Sequence, residues 1–267
     1  MKNISLGRYI PLDSVIHKMD PRAKIISMLL LLVCIFIDTG FIGYAIVGAV
    51  IVLAVLLAKL KIDFIWRAMK PMLFMLVFLL VINILVIKTG YVMLTIGNFR
   101  IYSDAVVQTC YITIRLILMI NITTLLTATT KPMDMTIAIE DLLTPFKSIG
   151  VPAHDIAMMI SIALRFIPTL LEEADRIMKA QASRGVDLEE GSFKEKINAI
   201  LSLIVPLFVS SFQKAEDLAN AMEARGYNPG AKRVRYKQLK FAFRDYTLFV
   251  VSVGLLAGLI VLKVTVL

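Results

Sequence analysis

Cysteine and histidine are scarce, with two of each among 267 residues. A metal centre needs several such ligands at fixed spacing. His17 and His154 stand apart from each other and from any such cluster, so no metal site is expected and each reads as a surface or interface residue. Cys34 and Cys110 both lie in apolar runs, which makes them small buried hydrophobes and excludes a disulfide framework. A phosphate-binding G-x-x-x-x-G-K-[ST] loop is also missing. The nearest stretch, GYNPGAK at Gly226 to Lys232, has the wrong spacing, so neither nucleotide nor any other cofactor is expected. Clustered acids and bases are lacking too, which argues against an enzyme.

Charge is sparse: 18% of residues are charged against 58% hydrophobic, and the mean hydropathy is +0.81. That balance is too apolar for a soluble domain and points to an integral membrane protein. The opening residues, MKNISLGRYIPLD, lack an apolar core and a small-residue cleavage site, so the N-terminus is expected in the cytoplasm. The net charge of +9 could suggest nucleic acid. The basic residues flank apolar segments, however, where the positive-inside rule puts them, so no nucleic-acid partner is expected. One cluster before the last apolar run (Lys232, Arg233, Arg235, Lys237, Lys240, Arg244) suits anionic lipid headgroups.

The apolar runs predict about five transmembrane helices. The first starts at Asp20–Pro21, an N-cap followed by a proline at the first helical position, with Arg22 and Lys24 snorkelling. A turn at Asp38 to Gly40 leads into a second, and Pro71 to Ile87 forms a third. The alternation in YVMLTIGNFRIY predicts a short external hairpin or surface loop. Asp104 to Thr130 and Asp245 to Lys263 complete the set. The last of these carries a Gly254–Gly258 pair suited to close helix packing.

Residues 131–240 differ from the rest. Pro132 to Leu143 reads as a short amphipathic helix. A long helix follows from about Ala153 to Arg184, and the capping-box spacing of Ser192 and Glu195 opens another that ends near Arg225. Pro168 and Pro206 are expected to kink these helices, each apolar upstream of its proline and amphipathic beyond it. The two long helices are read as in-plane or re-entrant, because full crossings would place their two ends on opposite sides of the membrane. The fold class expected is therefore an all-α integral membrane protein with a cytoplasmic-side region of long kinked amphipathic helices. Its divisions are 1–130, transmembrane; 131–240, cytoplasmic-side helices with the two arginine–glycine ends; and 241–267, a C-terminal transmembrane helix.

Both long helices end alike, in AQASRGVD and AMEARGYN. Superposing the arginines also aligns Ala174 with Ala215, Asp175 with Glu216 and Ala180 with Ala221. An arginine followed by glycine is an ordinary helix end, since the cation complements the C-terminal partial charge and glycine takes the left-handed conformation. That reading leaves unexplained the small residue before each arginine. Ser183 and Ala224 keep the tip slim, and Arg184 and Arg225 each offer a planar fork suited to a carboxylate on another surface. With a long helix between them, the two forks are expected tens of Å apart, serving separate sockets. Arg115, inside the fourth apolar run, is open to two readings: a functional intramembrane charge, or a partner of a buried polar group.

The runs ALRFIPTLLEEADRIMKAQASRGVD, EARGY, KPMDMTIAIEDLLTPFKSIGVP and HKMDPRAKI together resemble the T-component of energy-coupling factor transporters, the EcfT/CbiQ family. The resemblance implies a multi-pass protein of a prokaryotic cytoplasmic membrane, itself non-catalytic, with residues 131–240 as its coupling region. It further implies two ATP-binding partner subunits, identical or different, and a separate substrate-binding membrane subunit, the S-component, that captures a vitamin or a transition-metal ion. By position, Ser183, Arg184 and Gly185 form one ATPase-docking tip and Ala224, Arg225 and Gly226 the other, with Pro168 and Pro206 as elbows. The first motif has serine where the family more often has alanine. The competing expectation is a self-contained permease or channel lined by Arg115.

Overall fold

A computed structural model describes residues 9–37, 39–96, 99–150, 152–186, 192–228 and 238–266. The Asp38 turn, the loop after Val186 and most of the basic cluster (Lys232, Arg233, Arg235 and Lys237) lie outside them. The described residues form eight α-helices and one two-stranded hairpin. In chain order they are α1 (Pro21–Phe36), α2 (Gly40–Ala58), α3 (Ile62–Val86), β1 (Val92–Ile96), β2 (Phe99–Tyr102), α4 (Ser103–Thr129), α5 (Pro132–Leu143), α6 (Ala153–Ser183), α7 (Phe193–Ala224) and α8 (Phe243–Val266). A 3-10 helix, Thr144–Ile149, follows α5.

Packing divides the chain into two units, 1–138 with 239–267, and 139–238. In the first unit, α1 packs against α8, α4 and α2, and α3 lies along α4. The core joins Cys34 and Ile35 of α1, Tyr44, Val47 and Ile51 of α2, Leu118 and Ile122 of α4, and Leu259 of α8. Helix α3 buries no residue. Phe74 is 82% exposed, which in a bilayer is lipid-facing surface rather than a fault in packing, because lipid is as apolar as the core.

Local signals place several helix ends. The Asp20 carboxylate accepts the Arg22 N–H at 2.9 Å, and Pro21 opens α1. Ser192 and Glu195 form the reciprocal capping box at the start of α7. Strands β1 and β2 pair antiparallel, Val92 opposite Tyr102 and Ile96 opposite Phe99, with an irregularity between Val92 and Leu94.

Elsewhere the structure corrects the sequence. Helix α3 begins at Ile62 and carries Pro71 in its interior, so the third span is longer than a start at Pro71 gives. The stretch ahead of the proline is held helical in part by an Arg67–Asp63 pair at 2.7 Å, one turn apart. Lys24 does not snorkel to water. It is buried, and its ammonium donates to the Thr129 carbonyl at 2.9 Å and the Thr130 hydroxyl at 3.4 Å, closing the C-terminal end of α4 where helix carbonyls lack intrahelical donors. Cys34 is buried as expected, but Cys110 is exposed on α4; an apolar run does not by itself distinguish a lipid face from a bundle face. Gly254 and Gly258 have no neighbour within 4 Å of an added Cβ, so the close packing their spacing suggests is not made among the described residues.

Among the described residues, six helices are long and apolar enough to cross a membrane: α2, α3, α4, α6, α7 and α8. Helix α1, with 16 residues, is about 24 Å long at 1.5 Å per residue, short of the ~30 Å hydrocarbon thickness. Helices α6 and α7 qualify by length and composition, which do not separate a crossing helix from one lying in the plane.

Candidate functional site

In the second unit, α6 and α7 form an antiparallel hairpin whose register is read from three contacts. The Gln181 side-chain amide donates to the Ser202 carbonyl at 3.2 Å. Lys214 faces Glu173 at 3.9 Å, and the Tyr227 hydroxyl donates to the Met158 sulfur at 3.1 Å. As one index rises the other falls, so the C-terminal tip of α7 lies beside the first turns of α6. Arg184 and Arg225 therefore stand at opposite ends of the hairpin. The α6 segment from Met158 to Arg184 spans on the order of 40 Å along the axis, the separation expected from the sequence.

The two tips close with the same hydrogen bonds. At the end of α6, Gly185 N–H donates to the Ala182 carbonyl at 3.0 Å and Val186 N–H to that of Gln181 at 3.1 Å. At the end of α7, Gly226 N–H donates to the Glu223 carbonyl at 2.8 Å and Tyr227 N–H to that of Met222 at 2.9 Å. Both are Schellman closures, in which the residue after the left-handed glycine reaches back to the last full turn. Gly185 has φ +83° and Gly226 φ +71°, with nothing within 4 Å of an added Cβ at either. Glycine is required there by backbone conformation and not by space.

This closure presents the arginines. Arg184 and Arg225 occupy the residue before each glycine, both exposed, with similar backbone angles (φ −91°, ψ 6° and φ −87°, ψ 7°). Among the described residues neither guanidinium has a hydrogen-bond or ion-pair partner, whereas Arg176 and Lys179, just upstream, pair with Glu173 and Asp175. Ser183 turns its hydroxyl back to the Lys179 carbonyl at 3.0 Å, which leaves its outer surface as slim as that of Ala224.

The prolines lie within continuous helix. Each lacks an N–H, so the carbonyl four residues earlier loses its usual donor. For Pro206 that carbonyl belongs to Ser202, and Gln181 of α6 supplies the replacement. The proline rule gives Ser202 from sequence alone; its donor needed the register of the hairpin. His154 is exposed, as its reading as a surface residue expects, and it is bonded to Glu140 at 2.9 Å.

The family model for CbiQ, described as a cobalt transport protein, matches residues 13–236. The chain belongs to the CbiQ family. Relatives named energy-coupling factor transporter transmembrane protein EcfT resemble it over nearly their full length. The Bacillus subtilis protein is 42% identical over 97% of this chain and 98% of its own. The Macrococcus caseolyticus protein is 44% identical over 90% and 91%, and that of Lactococcus lactis 40% over 98% of each. This EcfT/CbiQ chain is thus a multi-pass, all-α membrane component of a transport family, and the matched residues 13–236 include both arginine tips.

Proposed function

We propose that this EcfT/CbiQ chain is the non-catalytic coupling subunit of an energy-coupling factor importer. It links ATP hydrolysis by two partner ATPases to reorientation of a separate membrane subunit that captures a vitamin or a transition-metal ion. The observation that carries the reading is the pair of helix ends closed by the same two Schellman bonds, each presenting an exposed guanidinium without a partner among the described residues. A carboxylate-bearing socket on an ATPase would receive each fork.

Tips on the order of 40 Å apart along one hairpin face the same compartment only if the hairpin lies along the membrane. We therefore set α6 and α7 in plane at the cytoplasmic face of a prokaryotic cytoplasmic membrane, with the N-terminus inside. Closure of the ATPase pair then moves the tips, and Pro168 and Pro206 act as elbows that pass the motion to the capture subunit. The basic residues before α8 hold the assembly against anionic lipid.

Reconstitution tests this. Uptake into proteoliposomes should need the ATPases, ATP and both arginines; solute movement through this chain alone would make it a permease instead.

A further inference from the structure

Arg115 lies mid-way along α4 in sequence, but its contacts lie near one end of the bundle. Its Nε and Nη2 donate to the Tyr44 hydroxyl at 3.1 and 2.8 Å, and Tyr44 is only one turn into α2. The guanidinium carbon stands 5.7 Å from the ring centre of Phe36, the last residue of α1. Tyr111, one turn before Arg115, stacks on Phe41 with ring centres 4.2 Å apart and lies 5.8 Å from the Tyr44 ring. The cation is thus level with the last residue of α1 and the first turn of α2, amid aromatic side chains of the kind that gather where a membrane protein meets headgroups.

Among the described residues, Arg115, Tyr44 and Tyr111 bring to this place side chains that all have protons to give. A guanidinium keeps its charge and offers five N–H groups. Two are spent on the Tyr44 oxygen, and the others find no acceptor among the described residues. The Tyr44 oxygen, accepting twice, still has its own proton to give, although the residue is only 4% exposed. The Tyr111 hydroxyl makes no hydrogen bond with any described residue either. No described carboxylate pairs with Arg115. A half-buried cation beside two phenol donors selects an oxyanion, and the Nη1 edge left open by Tyr44 suits the tetrahedral oxygens of phosphate.

We propose that Arg115, Tyr44 and Tyr111 form a phosphate-binding site at headgroup level, taking the phosphodiester of an anionic lipid or free phosphate. Arg115 supplies the charge, the two hydroxyls orient the oxygens, and Phe36 covers the guanidinium from one side. The site is independent of the docking role of Arg184 and Arg225.

The full-length chain, reconstituted in phosphatidylcholine doped with phosphatidylglycerol and then extracted, is assayed by native mass spectrometry for the lipids it retains. Wild type should enrich phosphatidylglycerol about fivefold, the factor one cation is worth at an anionic surface. Arg115→Gln should abolish the enrichment, and Tyr44→Phe, which keeps the ring, should reduce it. Displacement of the lipid by inorganic phosphate would assign the site to free phosphate; resistance to it would assign a lipid headgroup. Equal enrichment in wild type and Arg115→Gln would overturn the proposal. If that variant fails to insert, unchanged enrichment in Tyr44→Phe would overturn it as well.

Discussion

The side-chain amide of Gln181 donates to the Ser202 carbonyl across 3.2 Å, replacing the donor that Pro206 takes out of α7. Gln181 also supplies the carbonyl that accepts Val186 N–H in the closure behind Arg184. One residue therefore holds both the tip of α6 and the proline segment of α7. Gln181→Leu should leave a carbonyl unsatisfied at a cost of about 1–3 kcal/mol, while in a Pro206→Ala background, where α7 can satisfy Ser202 itself, the same change should cost less. A double-mutant cycle on thermal unfolding in detergent measures the coupling; strict additivity would mean that the two residues act separately.

Gly185 and Gly226 are tested by alanine. Their left-handed backbones should make each substitution cost roughly 1–2 kcal/mol at the helix end, although an added Cβ meets nothing. Hydrogen exchange at Val186 and Tyr227 reads the outcome, and the expected result is loss of protection at both amides. Asparagine, which tolerates that conformation better, should retain more of it.

Asp245 joins the two ends of the first unit. Buried to 2% exposure, its carboxylate accepts Asp20 N–H at 2.8 Å and Ala242 N–H at 2.7 Å, tying the cap of α1 to the start of α8. Asp245→Ala should destabilise the protein by roughly 1–3 kcal/mol through those unsatisfied donors, with faster proteolysis around residues 18–22 as the check.

His17 gives a pH dependence. Its Nε2–H donates to the Ile10 carbonyl at 3.0 Å, and in the neutral ring Nδ1 accepts the Ser14 hydroxyl at 2.7 Å. Burial is the main cause that lowers its pKa below the usual 6.5, with Lys24 adding to it and Ile10 and Asp13 opposing. The folded protein then binds fewer protons at this site than the unfolded chain, so the contribution of His17 is full above pH 6.5 and falls as pH drops toward the lowered value. The thermal stability of wild type relative to His17→Gln should shrink over that interval; a constant difference would exclude the effect.

Features set by a few neighbouring residues were legible in the sequence. Asp20 with Pro21, Ser192 with Glu195, the alternation of the hairpin and the glycines after the two arginines each carry their own geometry. Contacts between distant segments were not legible. Lys24 was expected to reach for water because nothing near it in sequence announces the Thr129 carbonyl. Ser202 could be named from Pro206, but Gln181 could not, because its role depends on the antiparallel register. The position of Arg115 was hidden for the same reason: rank along α4 does not give its level beside α2.

The central claim concerns the two exposed forks, and co-purification with the proposed ATPase partners tests it most directly. Neither Arg184 nor Arg225 has a partner among the described residues, so Arg184→Ala together with Arg225→Ala should change stability by no more than about 0.5 kcal/mol. The double variant should insert normally and lose the ATPases, and each single variant should weaken their retention. Recovery of both ATPases at wild-type levels with the folded double variant would contradict the account.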